Sequence, residues 1–239
     1  MMAQPNPTEL IRLEEDRIRA AYAARHDDGR YSWLSPGHLF MKQEQERAVL
    51  GLFRRAGHAD LRPLRVLDVG CGTGEWLNKL VIWGARPEHL TGIDLLEDRV
   101  TRARETCAPG VTIRQANGAS IDEQDETFDV AMQFTVFTSI LDQTLRRAVA
   151  AEMLRVVKRD GLIAWYDYFV PSPMNPDVRP VSKSEIHQLF PGCRISLRRV
   201  TLAPPIVRLL ASRAWWACEL LGTVPLLRTH YLGLIQKRC

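Results

Sequence analysis

The stretch Val66-Leu67-Asp68-Val69-Gly70-Cys71-Gly72-Thr73-Gly74 places a short apolar strand directly before a turn of alternating glycines. Leu64, Val66, Leu67 and Val69 suit a strand buried on both faces of a parallel sheet. Gly70, Gly72 and Gly74 let the backbone turn tightly and leave no Cβ between the main chain and a ligand. From Glu75 to Trp83 apolar and polar residues recur at helical spacing, so the turn delivers the chain to a helix whose first amides face the same spot. Open α/β sheets take their ligands at this place, the carboxyl end of a parallel strand. The spacing is not G-x-G-x-x-G, and no Lys-Ser/Thr succeeds the glycines, so pyrophosphate binding is disfavoured.

Leu90-Thr-Gly-Ile-Asp94-Leu95 reads as a second strand ending in an acid. It lies about 20 residues beyond the glycines, the separation at which a carboxylate accepts hydrogen bonds from ribose hydroxyls. The other reading of Asp94 is a cap for a helix from Glu97 to Cys107. A third strand, Val111 to Ala116, leads into Asn117-Gly118-Ala119. Thr127 to Gln133 fits a fourth strand, Asp142 to Val157 a long amphipathic helix, and Arg159 to Trp165 a turn entering a fifth strand.

In order and spacing these stretches resemble the class I S-adenosylmethionine (SAM) methyltransferases over roughly residues 62 to 170, about half of the chain. The resemblance implies an α/β fold, a three-layer sandwich around a seven-stranded, mostly parallel, Rossmann-like sheet with an antiparallel last strand. It implies SAM as cofactor and S-adenosylhomocysteine as product. The cofactor contacts it implies are Asp68, Gly70, Cys71, Gly72, Gly74, Asp94, Leu95, Asn117, Gly118, Ala119, Gln133 and Phe134. Many members carry an Asp where this chain has Asn117 at the adenine, and an amide still offers both a donor and an acceptor there. Cys71 also reads simply as a small residue that fits the turn.

The flanks divide into a helical lid region over residues 1–62 and a core over 63–239 that carries a helical insertion at about 204–222, all within one domain. Thr8 to Arg25 has helical periodicity with Thr8 as its cap, and Tyr31-Ser-Trp33-Leu-Ser-Pro36-Gly37 breaks it before a second helix from Gly37 or His38 to Ala56. Segments before the core commonly close over SAM in this family, so Tyr31, as a further cofactor contact, and Trp33 are expected in a lid that excludes water. Their other reading is an aromatic hinge between two helices. Pro171 to Pro180 should be an extended loop. Ser182 to Phe190 reads as a helix with Glu185 at capping-box spacing, and Cys193 to Leu202 and Tyr231 to Gln236 as the last strands. Pro204-Pro205 opens an apolar helix running to about Leu221 and containing Trp215-Trp216. Arg208, Arg213 and Glu219 make it too charged for a membrane span. It covers the core, or it touches a lipid-like substrate or a membrane surface.

Composition fits a cytoplasmic enzyme. The 239 residues are 46% hydrophobic, enough for one elaborated domain. The five cysteines, at 71, 107, 193, 218 and 239, lack metal-type spacing and suggest reduced thiols, so no metal is expected. Met1 to Glu9 shows no basic-then-apolar leader. Net charge is +4, yet residues 181–239 hold 9 basic and 2 acidic side chains, an asymmetry that can mark an anionic partner or simply solvate exposed faces.

The predicted reaction is in-line transfer of the SAM methyl to a hydroxyl or amine. Residues at the end of the fourth strand narrow the acceptor. Gln133-Phe134-Thr135-Val136 is not the Asn/Asp-Pro-Pro-Tyr/Phe run of nucleobase amino methylation, and no Pro-Cys pair stands there for attack on a pyrimidine. Nucleic acid is therefore not an expected partner. Phe134, Phe137, Trp165, Tyr166 and Tyr168, with Trp33, would make an aromatic pocket for a small organic acceptor. Leu189-Phe-Pro-Gly-Cys-Arg194, Leu202-Ala-Pro-Pro205 and Arg228-Thr-His-Tyr-Leu-Gly233 resemble uncharacterised bacterial methyltransferases of natural-product or polysaccharide pathways. His38 and Asp167 are candidate proton acceptors, with His230 a third, although each also reads as an ordinary structural residue. Two alternatives stand beside this reading: methylation of a lipid or membrane-associated acceptor, and a non-catalytic SAM-binding module.

Overall fold

The computed structural model describes residues 6–24, 32–171 and 175–237. Seven strands form one sheet: β1 (Val66–Val69), β2 (Leu90–Asp94), β3 (Thr112–Gln115), β4 (Phe128–Phe134), β5 (Val157–Tyr168), β6 (Arg194–Leu202) and β7 (Arg228–Gln236). Their order is β3-β2-β1-β4-β5-β7-β6. β1 to β5 pair in parallel, and β7 runs antiparallel to both β5 and β6, as the family resemblance implies. Every residue of β1 and of β2 is buried, which explains why both read as short apolar runs rather than alternating ones.

Helices cover both faces: α1 (Pro7–Ala23), α2 (Pro36–Arg55), α3 (Glu75–Ile82), α4 (Glu97–Thr106), α5 (Gln143–Val156), α6 (Lys183–Leu189), α7 (Pro204–Leu210) and α8 (Trp215–Gly222). One face packs Leu67, Val69, Ile163 and Trp165 against Ile18, Val149, Met153 and Ile186 of α1, α5 and α6. The other packs Val66, Val130 and Leu162 against Val49, Leu52, Leu77 and Val100 of α2, α3 and α4. A small third cluster gathers Phe40, Leu202, Val207, Ala211 and Cys218 beneath α7 and α8.

Three local expectations are corrected. α1 begins one residue earlier, with Asn6 rather than Thr8 as its cap, because Asn6 Oδ1 accepts the Glu9 N–H at 2.9 Å and Pro7 takes the first helical position. Ser182 does cap α6 through the Glu185 N–H, but the Glu185 carboxylate does not return to Ser182. It receives Arg146 Nη1 at 2.6 Å, Arg179 Nη2 at 2.7 Å and Gln143 Nε2 at 3.0 Å, a stronger charge-assisted set. The apolar helix expected from Pro204 to Leu221 is two helices with a turn between them. A straight helix would carry Cys218 about 16 Å beyond Val207, whereas the break gathers both into one cluster with Phe40 and Leu202.

Candidate functional site

The sheet order reverses between β1 and β4, and the glycine turn sits at that switch point. Gly70, Gly72 and Gly74 have φ of +72°, +56° and +80°. Gly70 and Gly74 also lack room, since an added Cβ would lie 2.4 Å from Val136 Cγ2 and 2.1 Å from Cys107 Sγ respectively. The turn is pinned to β2. Gly70 N–H and Cys71 N–H both donate to Ile93 O, at 2.8 and 3.0 Å, and Gly72 N–H donates to Asp94 Oδ2 at 2.8 Å. Asp94 Oδ1 takes the Leu96 N–H at 3.0 Å, so this acid shapes both the glycine turn and the entry to α4, whose N-cap residue is Leu96.

Beside the turn opens a cleft of about 780 Å³, continuous with solvent. It brings together the expected residues Gly70, Asp94, Leu95, Asn117, Gly118 and Phe134. It does not include Asp68, Cys71, Gly72, Gly74, Ala119 or Gln133 in its wall. Ala119 donates its N–H to Asn117 Oδ1 at 2.8 Å and so fixes the side chain that does face the cleft. Gln133 is fully buried, with Oε1 accepting the Val136 N–H. Cys71 is buried, and desolvation raises its thiol pKa, so it stays protonated.

The roof of the cleft comes from α1, which reads in sequence only as part of a lid region. Glu15, Ile18 and Tyr22 line the cleft together with Arg99 of α4, Thr135, Val136 and Ser139. Asn117 Nδ2 donates to Glu15 Oε1, Arg19 Nη1 to Leu95 O at 3.0 Å, and Arg17 Nη2 to Ser139 O at 2.6 Å. Tyr22 Oη lies 3.0 Å from Ser139 Oγ, under the Arg99 guanidinium at 4.4 Å from its ring. The signal is present in the charged residues of α1 that fall beside its apolar stripe, but periodicity does not tell which loops such a helix meets. Thr135 holds φ +63°, unusual for a β-branched residue, and it lines the cleft.

Whether these residues suit SAM can be judged from charge. Asp68 is fully buried beneath the turn, and its Oδ2 has no hydrogen-bond partner. Burial and the neighbouring Asp94 and Glu75 push its pKa well above the ordinary carboxylate range, and Glu75 Oε1 is likewise buried without a partner. Three acids close to one turn favour a ligand that brings positive charge, and SAM carries a sulfonium and an ammonium. The residues fit the group.

The expected acceptor pocket divides along the period of two in β5. Phe137 and Trp165 are fully buried on the α5 face, 4.6 Å apart between rings, with Phe190 against Trp165. They are core rather than pocket wall, because adjacent strand residues point to opposite faces. Tyr166 and Tyr168 lie on the α2 face. Tyr166 contacts Phe134 at 5.8 Å, stacks on His230 at 4.8 Å, and shares a 2.8 Å hydrogen bond with Thr201. Tyr168 tilts against the same imidazole at 5.2 Å. Burial lowers the His230 pKa to about 3, so it is neutral. Asp167 is also on the core side, 1% exposed, with Oδ1 and Oδ2 taking N–H groups of Tyr168 and Thr138; burial pushes its pKa up to about 6. It does not reach the cleft. His38 is buried in the first turn of α2 beside Trp33, with ring centroids 5.3 Å apart, and its pKa is lowered by burial and by Lys42. Trp33 itself is half exposed and sits near Lys79 of α3, on the far side of the turn from α1. Tyr31 lies outside the described residues.

Residues 66–161 match the protein-family model described as a methyltransferase domain. Among curated proteins, the chain is similar to a phosphatidylethanolamine N-methyltransferase of Cereibacter sphaeroides, 35% identical over 48% of this chain and 56% of that protein. It is also similar to an O-methyltransferase of Aspergillus nomiae, 29% identical over 55% of this chain and 57% of that one. The chain thus spans little more than half the length of these relatives. A solved SAM-dependent methyltransferase from Archaeoglobus fulgidus shares the fold, with a TM-score of 0.57 at 16% identity over 84% of this chain and 98% of that one. With the sheet order, the glycine turn at the switch point and the domain match in agreement, residues 66–161 form a methyltransferase domain of the class I SAM-dependent kind.

Proposed function

We propose that the protein methylates a hydroxyl or amine of a small organic acceptor, of the kind modified in natural-product or saccharide biosynthesis. The observation that carries this is the switch-point cleft, in which Gly70, Asp94, Asn117 and Gly118 converge under α1 above the unpartnered carboxyl of Asp68. The relatives are named for transfer to nitrogen in one case and oxygen in the other, and both atoms suit the reading.

SAM, when bound, supplies an electrophilic methyl on a sulfur that is already a good leaving group. The chain's own task is to orient and to exclude water, and orientation can lower a barrier by about 7 to 11 kcal/mol. Asp94 and Asn117 would hold the nucleoside, and α1 would cover it from above. Phe134, which borders the cleft and contacts both Trp76 and Tyr166, marks the passage to the acceptor side. His38 is the group we assign to take a hydroxyl proton, since its lowered pKa leaves the imidazole neutral at pH 7.

Calorimetric titration of cofactor-free protein with SAM and with S-adenosylhomocysteine, and then labelled-methyl transfer to hydroxyl- and amine-bearing acceptors, tests this. Binding of both and turnover with one acceptor class are expected. Folded protein that binds SAM but methylates neither class would favour the non-catalytic module.

A further inference from the structure

The outer surface of α7, α8 and the turn Pro225–Leu227 carries an unusual load of exposed apolar side chains. Leu226 is 83% exposed, Trp216 71%, Leu209 67% and Leu220 62%. The inward sides of these elements already have their partners, with Val207, Ala211 and Cys218 packed on Phe40 and Leu202. The exposed set therefore contributes nothing to the core, and α8 is apolar on both sides. The patch continues toward the acceptor side. Gly37 approaches α7 so closely that an added Cβ would stand 3.4 Å from Arg208 Cα, and just before it in the chain lie Leu34, 93% exposed, and half-exposed Trp33.

Charge decides what could cover this surface. Arg208 and Arg213 are exposed within it, and neither forms an ion pair among the described residues. The one acid of the segment, Glu219, is held by Arg47 at 3.1 Å. A second copy of the chain docked on the same face would set unpaired arginines against unpaired arginines with no free carboxylate between them. An anionic bilayer satisfies both features at once, taking the Trp and Leu side chains at the acyl boundary and the guanidiniums at the phosphates. No helix among the described residues is long and apolar enough to cross a membrane, so such contact would lie in the interface plane.

We propose that α7, α8 and the Pro225–Leu227 turn dock the protein onto an anionic lipid surface, with Trp216, Leu220 and Leu226 inserted and Arg208 and Arg213 at the headgroups. This goes beyond the methyl-transfer reading and stands without it. The docked face adjoins the first turn of α2, so the acceptor side would open close to the bilayer.

The test is co-sedimentation of the full chain with phosphatidylcholine vesicles and with mixed phosphatidylcholine–phosphatidylglycerol vesicles at low and high salt. Pelleting with the mixed vesicles at low salt, weakened by salt, is expected. Trp216→Glu with Leu220→Glu should reduce it on the order of tenfold or more, since both charges enter the apolar boundary. Arg208→Gln with Arg213→Gln should reduce it roughly fivefold for each residue and only with the anionic vesicles. Unchanged SAM affinity in both variants reports intact folding and keeps this result separate from the cofactor assignment. The proposal is overturned by a wild type that pellets with neither vesicle, by binding that both pairs of substitutions leave unaltered, or by a solution dimer that Trp216→Glu dissociates.

Discussion

Gly70→Ala isolates the steric argument for the glycine turn, because the structure identifies the atom that the new methyl would strike. The Cβ would stand 2.4 Å from Val136 Cγ2, where ordinary contact begins at 3.4 Å, so something must move by about 1 Å. Gly70 itself cannot relax toward a common conformation while its N–H and that of Cys71 are held by Ile93 O. Val136 is β-branched, with few χ1 choices, and its N–H is tied to Gln133 Oε1 at 3.1 Å. A non-glycine residue at φ +72° costs about 1 to 2 kcal/mol, and overpacking a further ~1 to 3 kcal/mol. The sum is a loss of about 2 to 5 kcal/mol of folding stability. Because Val136 lines the cleft, its displacement should also weaken SAM by roughly 10- to 100-fold, the factor that ~1.4 to 2.8 kcal/mol gives. Val136→Ala removes the struck atom and leaves only the backbone cost. In a four-protein cycle read by urea unfolding and SAM calorimetry, the double variant should therefore be more stable than additivity predicts, by about 0.5 to 3 kcal/mol. Strict additivity in both measurements would refute the contact as the cause.

Asp94→Ala leaves the Gly72 and Leu96 N–H groups without their acceptor, and SAM affinity should fall by about 1 to 3 kcal/mol in calorimetry; unchanged affinity in folded protein would sink the assignment of Asp94 to the cofactor. Arg146 is fully buried and donates to Ile140 O and Arg179 O as well as to Glu185. Removing its ion-pair partner with Glu185→Ala should thus cost about 3 to 5 kcal/mol, and Glu185→Gln less because an acceptor oxygen remains; equal urea midpoints for the two would contradict this. Asp167 has a folded pKa of about 6 against an ordinary 3.8, so the folded state holds its proton more tightly than the unfolded chain. Its contribution is greatest below about pH 4 and is lost as pH rises to about 6, by ~3 kcal/mol at 1.36 kcal/mol per pKa unit. Asp167→Asn should remove that slope, and a difference between wild-type and variant unfolding free energies that stays flat from pH 4 to 6 would show the group does not titrate there.

The strands and the turn are readable because their cause is local. Residues buried on both sides must be apolar throughout, and at Gly70 and Gly74 a positive φ combines with a side chain too close for any Cβ, which calls for glycine. The position of Asp94 obeys the same logic, being the last residue of the strand beside β1. The roof is not readable, because Glu15, Arg17 and Arg19 gain their meaning from loops about eighty to one hundred and twenty residues away, at Leu95, Asn117 and Ser139. A helix with charges flanking an apolar stripe looks the same in sequence whether those charges meet water or carbonyl oxygens.

The aromatic residues of β5 show the opposite case, a division that the sequence itself implies. Trp165 and Tyr166 are neighbours on a strand, and a strand of period two cannot turn both into one pocket. Once Tyr166 is placed with Phe134 and Tyr168 on the α2 face, Trp165 and Asp167 must fall on the α5 face, where Phe137, Phe190 and Arg146 surround them. Our proposal then places the acceptor on that one face of the sheet beyond Phe134, next to the first turn of α2. That face is also the one α7 and α8 flank, outside the methyltransferase domain at residues 66–161, and our proposal therefore looks to the N-terminal and C-terminal elaborations for acceptor choice. On that proposal the sheet sets where the methyl is presented and the flanking helices choose what meets it, so one cofactor turn is compatible with relatives named for different acceptors.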